Sequence, residues 1–324
     1  MAKIAVNIRN FKDDYADLNG QHTLEVSRRA VLRSALMLGF QDYSHFGSAV
    51  EGLKRHRYLS GLSALNCLRQ VAGNWVLEDF HDELDGSEKG PESYGKGMIF
   101  AKLVAEKFLG VRWLSHVDAL KAKGELETIA DSKQRGDMVG LCQKGRWHVV
   151  EAKGRSRSFS DTDVEHAKHQ AACVERVAGE SPATNSACIT SLWTDPIEIL
   201  LDDPPIDGAL SWDFEASEFW TYYYGNLAAY IREQSVEMPF KTAVEKYVFA
   251  SLSPIFDQLP PEVLNAFSPL PEFIGLPWHI VNDPSSARIL LEADRGENIL
   301  EAGADGVMIL GPFGKVERLT RDEQ

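Results

Sequence analysis

The sequence predicts an α/β protein, α+β in its layout, with a mixed sheet flanked by helices. Three observations carry this. Residues 98–193 read as helix, three strands, helix, strand, the order of one compact α/β unit. Within that unit, 137–142 and 147–153 are two short runs rich in Val, Leu and Trp around Lys144-Gly145, the pattern of a β-hairpin. Across the 324 residues, 44% apolar and 25% charged side chains describe a globular chain able to bury a large core, as one elaborated domain or two ordinary ones.

In chain order, residues 1–90 are expected to be mainly helical after a short N-terminal strand. Leu24 to Leu38 carries apolar residues on a 3.6-type period, with Gly39 as a stop. A second helical run covers 50–68, interrupted by Gly61. Its cations Lys54, Arg55 and Arg57 read more readily as a solvated face than as a phosphate contact. The polar, glycine-rich stretch 81–97 reads as a linker. The chain therefore divides into a helical region 1–90, a core 91–195 and a mixed region 196–324.

The core opens with a helix over 98–109 that places Ile99, Leu103, Val104 and Phe108 on one side and ends at Gly110. Residues 111–117 have the β-branched and aromatic content of a strand. After the hairpin, a helix is expected over 161–177 with Ser160 or Asp161 as N-cap, then a strand over 187–193. Beyond the break at Asp202-Asp203-Pro204-Pro205, helices are expected at 219–231 and 243–256. Short strands are expected at 278–281, 288–292 and 306–310.

Composition excludes several classes. No run of 18 apolar residues marks a membrane span, and the N-terminus lacks a signal-peptide pattern. The four cysteines show neither metal-site spacing nor a disulfide framework, which fits reduced thiols in the cytoplasm. A net charge of −14 argues against a general nucleic-acid coat. Locally the balance reverses: Lys144, Arg146, Lys153, Arg155 and Arg157 surround Glu151, and the outer four are candidate contacts to a nucleic-acid backbone.

Asp137 opens the hairpin and Glu151-Ala152-Lys153 closes it. Two carboxylates and a lysine at one end of a hairpin suit a divalent cation beside a phosphodiester bond. Asp137, Glu151 and the Ala152 carbonyl are oxygen ligands for a hard ion, and Lys153 shares a strand face with Glu151. Alternation sets a geometric condition. A two-residue turn at Lys144-Gly145 points Asp137 away from Glu151, whereas an odd-length loop, such as 144–146, places it on the Glu151 face.

Gly136-Asp137, thirteen residues, then Glu151-Ala152-Lys153 resembles the PD-(D/E)XK nuclease superfamily, the restriction-endonuclease-like fold. The resemblance spans about a third of the chain, from Met98 to Trp193, and Gly136 replaces the nominal proline. It implies Mg²⁺- or Mn²⁺-dependent cleavage of DNA, with Asp137 and Glu151 as metal ligands and Lys153 as catalytic lysine. It also implies two further roles: Glu106 as an acid ligand on the preceding helix, and Gln170 as a catalytic glutamine on the following one. Val174 stands where one subgroup carries a tyrosine. Restriction or antiphage defence is the setting the family implies, with DNA as partner and a homodimer or a defence subunit as company. The rival reading is a non-catalytic nucleic-acid- or protein-binding assembly module with a degenerate nuclease-like core.

Other signals are discounted. His166 and His169 read as surface histidines, and core packing accounts for the aromatic run Trp220 to Tyr224 at least as well as base stacking does.

Overall fold

A computed structural model of the protein describes residues 2–38, 63–64, 66–79, 83–117, 120, 127–128, 136–234, 247–252, 273–288, 305 and 307–310. The fold is a mixed sheet flanked by helices. The N-terminal part supplies β1 (Ala2–Arg9), β2 (Gly20–Val26), α1 (Arg28–Met37), β3 (Leu68–Val71) and β4 (Asn74–Leu77). Helix α2 (Gly86–Val104) runs into a π-helical turn at Ala105–Leu109, and β5 (Val111–His116) follows. Next come β6 (Glu127–Thr128), β7 (Met138–Cys142), β8 (Trp147–Arg155), α3 (Asp161–Ala172), β9 (Val174–Val177), β10 (Thr184–Ser191) and β11 (Glu198–Asp202). The remainder comprises β12 (Leu210–Asp213), α4 (Phe219–Gln234), β13 (Tyr247–Ser251), β14 (Phe273–Pro277), α5 (Trp278–Asn282) and β15 (Met308–Leu310).

Among the described residues, nine strands form one sheet in the order β3-β4-β1-β11-β10-β8-β7-β5, with β2 paired to β1. β5, β7 and β8 form an antiparallel meander, and β10 joins β8 in parallel after crossing over through α3. That crossover is the usual way to make a parallel pair. β8 and β10 are buried along nearly their whole length, because helices cover both faces. Alternation assigns the faces. Arg155 meets Asp163 of α3, and Ala187 and Ile189 of β10 pack on Val164, Ala167 and Ala171. Glu151 pairs with Ala187 and Lys153 with Ile189, so both point to the α3 face. Helix α2 lies on the other face. A Cβ at Gly154 would run into the Ser93 carbonyl and one at Gly97 into the Gly154 backbone, so this crossing needs glycine on both elements.

Several sequence expectations are corrected. Residues 81–97 are not a linker: 86–97 form the first half of α2, started by a capping box in which Asp85 accepts from the Ser87 and Glu88 amides and Glu88 reaches back. The N-terminal region is not mainly helical where described, since β1 pairs in parallel with β11 inside the main sheet. The helix expected over 161–177 stops at Ala172, and Val174–Val177 joins a second sheet with β12 and β6. Residues 247–251 are a strand rather than helix, paired to β14, and 278–282 are helix rather than strand. Most of the helix expected over 50–68, its cations and the strand over 288–292 lie outside the described residues. No described helix is long and apolar enough to cross a membrane.

The aromatic run on α4 is core. Phe219, Trp220, Tyr223 and Tyr224 are buried, Trp220 meets Trp113 edge-on, and Phe219 meets Trp147 in the same manner.

Candidate active site

The hairpin closes with three loop residues, 143–145. Cys142 donates to the Arg146 carbonyl (3.0 Å), and the Gly145 amide returns to the Cys142 carbonyl (2.9 Å). Gly145 at φ +73° supplies the left-handed residue such a loop requires. This odd-length loop differs from both placements considered from sequence, and it sets Leu141 opposite Trp147 and Met138 opposite Val150. Continued by one residue, the register sets Asp137 opposite Glu151, on one face. The geometric condition is met.

At Asp137 the ladder ends. The Ala152 amide, which a longer β7 would satisfy with a backbone carbonyl, instead donates to the Asp137 carboxylate (3.2 Å). The N–H and C=O of a strand residue leave on the same side, so the Ala152 carbonyl also points toward Asp137 past the end of β7. Asp137 is fixed through its backbone as well, because its carbonyl accepts the Val117 amide (2.9 Å) at the end of β5.

Lys153 forms an ion pair with Glu151, whose side chain is wholly buried while that of Lys153 is 16% exposed. Neither Glu151 oxygen accepts a well-formed hydrogen bond. Burial, reinforced by Asp137, pushes the Glu151 carboxyl up to about 8, so Glu151 holds a proton at neutral pH and turns it toward Asp137. Asp137 is also raised by burial, with Lys153 and then His116 pulling it back. Were both acids ionised, the one lysine beside them would leave a deficit of positive charge. That deficit and the Ala152 carbonyl fit a hard divalent cation held by two carboxylates with ligand positions left for water. Among the described residues no set of three or more His, Cys, Asp or Glu side chains converges on one point.

The structure brings together Asp137, Glu151, Ala152 and Lys153. Gln170 lies on α3, the helix covering the same face, with its Oε1 shut from solvent and unbonded. Glu106 goes elsewhere. Its carboxylate takes both bonds from Arg33 Nη2 (2.8 and 2.9 Å), and Arg33 Nη1 bonds Asp305 (2.8 Å). Glu106 lies nine residues past the Gly97 crossing, roughly 14 Å along a helix axis. It is therefore at the end where β5 begins opposite Cys142, away from Asp137.

The four cations also divide. Arg155 and Arg157 stand beside the site, both bound to Asp163 (2.9 and 3.0 Å). Despite some burial, hydrogen bonds from the Ser160 backbone and from Arg155 hold that carboxyl well below its usual range. Lys144 and Arg146 sit at the turn, five or more residues and roughly 16 Å of strand from Glu151. Arg146 is already held by Asp14 and the Tyr15 hydroxyl (both 2.9 Å).

His116 was missed in the sequence reading. It ends β5 opposite Met138, its Nε2 is 3.3 Å from the Tyr94 hydroxyl, and its charge favours ionised Asp137. The available signal was a histidine closing the strand that enters the hairpin's open end.

No family model matches this chain, and neither the curated proteins nor the solved structures contain a match to it.

Proposed function

We propose that the protein is a metal-dependent nuclease that hydrolyses phosphodiester bonds in DNA, built on a PD-(D/E)XK, restriction-endonuclease-like core and acting in restriction or antiphage defence. The observation that carries this reading is the end of the β7–β8 ladder. There Asp137 takes the Ala152 amide in place of a backbone partner and comes to face Glu151, with Lys153 paired to Glu151. A meander of three antiparallel strands between two helices, followed by a parallel strand, supports the same reading.

In this mechanism Asp137, Glu151 and the Ala152 carbonyl are the ligands. A Mg²⁺ or Mn²⁺ ion held there supplies positive charge against the phosphoryl and leaving oxygens. Glu151 would hold the ion as a carboxylate, its proton released to solvent on binding, and Lys153 beside it would orient a water or contact a phosphoryl oxygen. Asp137 stays in place throughout, because the Ala152 and Val117 amides hold its carboxylate and carbonyl. Gln170, on the covering helix, has an unbonded oxygen available to orient a water.

The test is cleavage of plasmid, linear duplex and single-stranded DNA with Mg²⁺ or Mn²⁺, with and without a chelator. Divalent-dependent cleavage that Asp137→Ala and Lys153→Ala both abolish, with circular dichroism unchanged, is the expected outcome. Absence of cleavage of every DNA form, or cleavage indifferent to chelator and to both substitutions, sinks the proposal in favour of a binding module.

A further inference from the structure

The site end of the sheet carries an aromatic residue that neither the core nor the proposed chemistry uses. Trp193, just past β10, is 51% exposed, whereas Trp75, Trp113, Trp147, Trp212 and Trp220 are buried. Register gives its position. Ile189 lies beside Lys153 and Ser191 beside Arg155, and the Leu192 amide adds one more bond to the Arg155 carbonyl (3.0 Å). Residues 187, 189 and 191 point to the face of Glu151 and Lys153, and Trp193 lies in the bend that follows β10, two residues past Ser191. Four residues span at most roughly 13 Å, so Trp193 lies within one or two nucleotides' reach of the strand position beside Lys153.

The loop presenting Trp193 is anchored. Ser191 Oγ bonds the Arg157 carbonyl (3.3 Å), and Thr194 Oγ1 bonds the Ser191 carbonyl (3.1 Å) while accepting the Glu198 amide (3.1 Å). A large apolar ring held in water by a hydrogen-bonded loop is preorganised for a flat partner.

The charges near the site say which partner. Lys153, Arg155 and Arg157 are each already paired with an acid, and the chain carries a net charge of −14. Duplex binding draws its affinity mainly from phosphate contacts by free cations. Single strands add stacking of unpaired bases on aromatic rings, which a duplex withholds.

Resting on the nuclease reading, we infer that the substrate is single-stranded DNA, with an unpaired base beside the scissile phosphate stacked on Trp193. The test measures binding in EDTA of a fluorescein-labelled oligo(dT), and of a duplex of equal length, to the wild-type chain, Trp193→Ala and Trp193→Phe. The single strand should bind more tightly than the duplex. Trp193→Ala should weaken single-strand binding about tenfold, and Trp193→Phe should stay within about threefold of wild type. Absence of saturable single-strand binding, equal affinity for the duplex, or an alanine variant with unchanged affinity overturns the inference. A cleavage arm with Mg²⁺ or Mn²⁺ separates the two ideas. Metal-dependent cutting of DNA with single-strand binding indifferent to Trp193 removes this inference and leaves the nuclease standing. Trp193-dependent single-strand binding without cleavage of any DNA does the reverse.

Discussion

The two ends of the β7–β8 hairpin treat buried titratable groups in opposite ways. At the turn end His148 is wholly buried, yet its Nδ1 meets Thr184 Oγ1 (2.9 Å) and its Nε2 lies 3.4 Å from the Tyr15 hydroxyl. Burial, helped by nearby Arg146, lowers its pKa to about 3, so it stays neutral, the form its two partners suit. Three residues along the strand, Glu151 is as deeply buried and also neutralised, but its neighbours are the titratable groups Lys153 and Asp137 rather than neutral hydroxyls. One group is matched to its surroundings and serves stability. The other sits beside a second acid and one lysine, so its ionisation would leave excess negative charge that a bound cation would offset.

That contrast can be broken by substitution. The largest effect is expected at the open end. Lys153→Ala and Asp137→Ala should lower DNA cleavage about 100-fold or more at saturating Mg²⁺ while the thermal midpoint moves little. If both variants unfold, the open end is structural and the contrast fails. His148→Ala should do the opposite, costing about 2–4 kcal/mol of stability in chemical denaturation from a cavity and a lost buried hydrogen bond to Thr184, with cleavage per folded molecule retained.

Glu106→Gln tests the acid that left the site. With Arg33 left only Asp305 as a charged partner, a loss of about 2 kcal/mol is expected, with metal dependence of cleavage unaltered. A raised Mg²⁺ requirement would restore Glu106 to the metal site.

The pH response should carry opposite signs at the two ends. The folded Glu151 carboxyl titrates near 8 against 4.5 for the free group, so the folded state holds the extra proton. Its contribution to the stability of metal-free protein therefore falls as pH rises between these values. The folded His148 titrates near 3 against 6.5, so its contribution is lost as pH falls from 6.5 toward 3. Glu151→Gln should flatten the first slope and His148→Ala the second, read from unfolding midpoints across pH in EDTA. Unchanged slopes in both variants would assign the pH dependence to other groups. The smallest effect belongs to Arg146→Ala: an exposed pair with Asp14 worth about 0.2–1 kcal/mol, and cleavage within about threefold of wild type. A larger loss of DNA binding would return Arg146 to the nucleic-acid contacts.

Much of the core was legible because its signals are local. Strands 111–116, 138–142 and 147–155 announce themselves by β-branched and aromatic content, and alternation alone places Glu151 and Lys153 on one face. The start of α3 was readable at Ser160, whose hydroxyl accepts from the Asp163 amide. Where the reading failed, a local rule met a longer-range one. Glycines and Pro91 made 86–97 look like a linker, yet the Asp85–Glu88 capping box starts a helix there, and Gly97 is needed for the close approach to Gly154. β-branched and aromatic residues at 247–251 were read as helix, but pairing with β14 makes them a strand.

By itself, then, the sequence determined the hairpin, the order of elements around it and the chemistry offered by Asp137, Glu151 and Lys153, since strand alternation and helix capping act within a few residues. Only the tertiary structure decided the rest. The three-residue loop turned Asp137 toward Glu151, a choice several adjacent turn placements compete for. Arg33, 73 positions away in sequence, drew Glu106 out of the site. β11, some 190 residues downstream, drew β1 into the same sheet. These outcomes depend on which distant groups become neighbours when the core is buried, and a one-dimensional pattern carries no record of that choice.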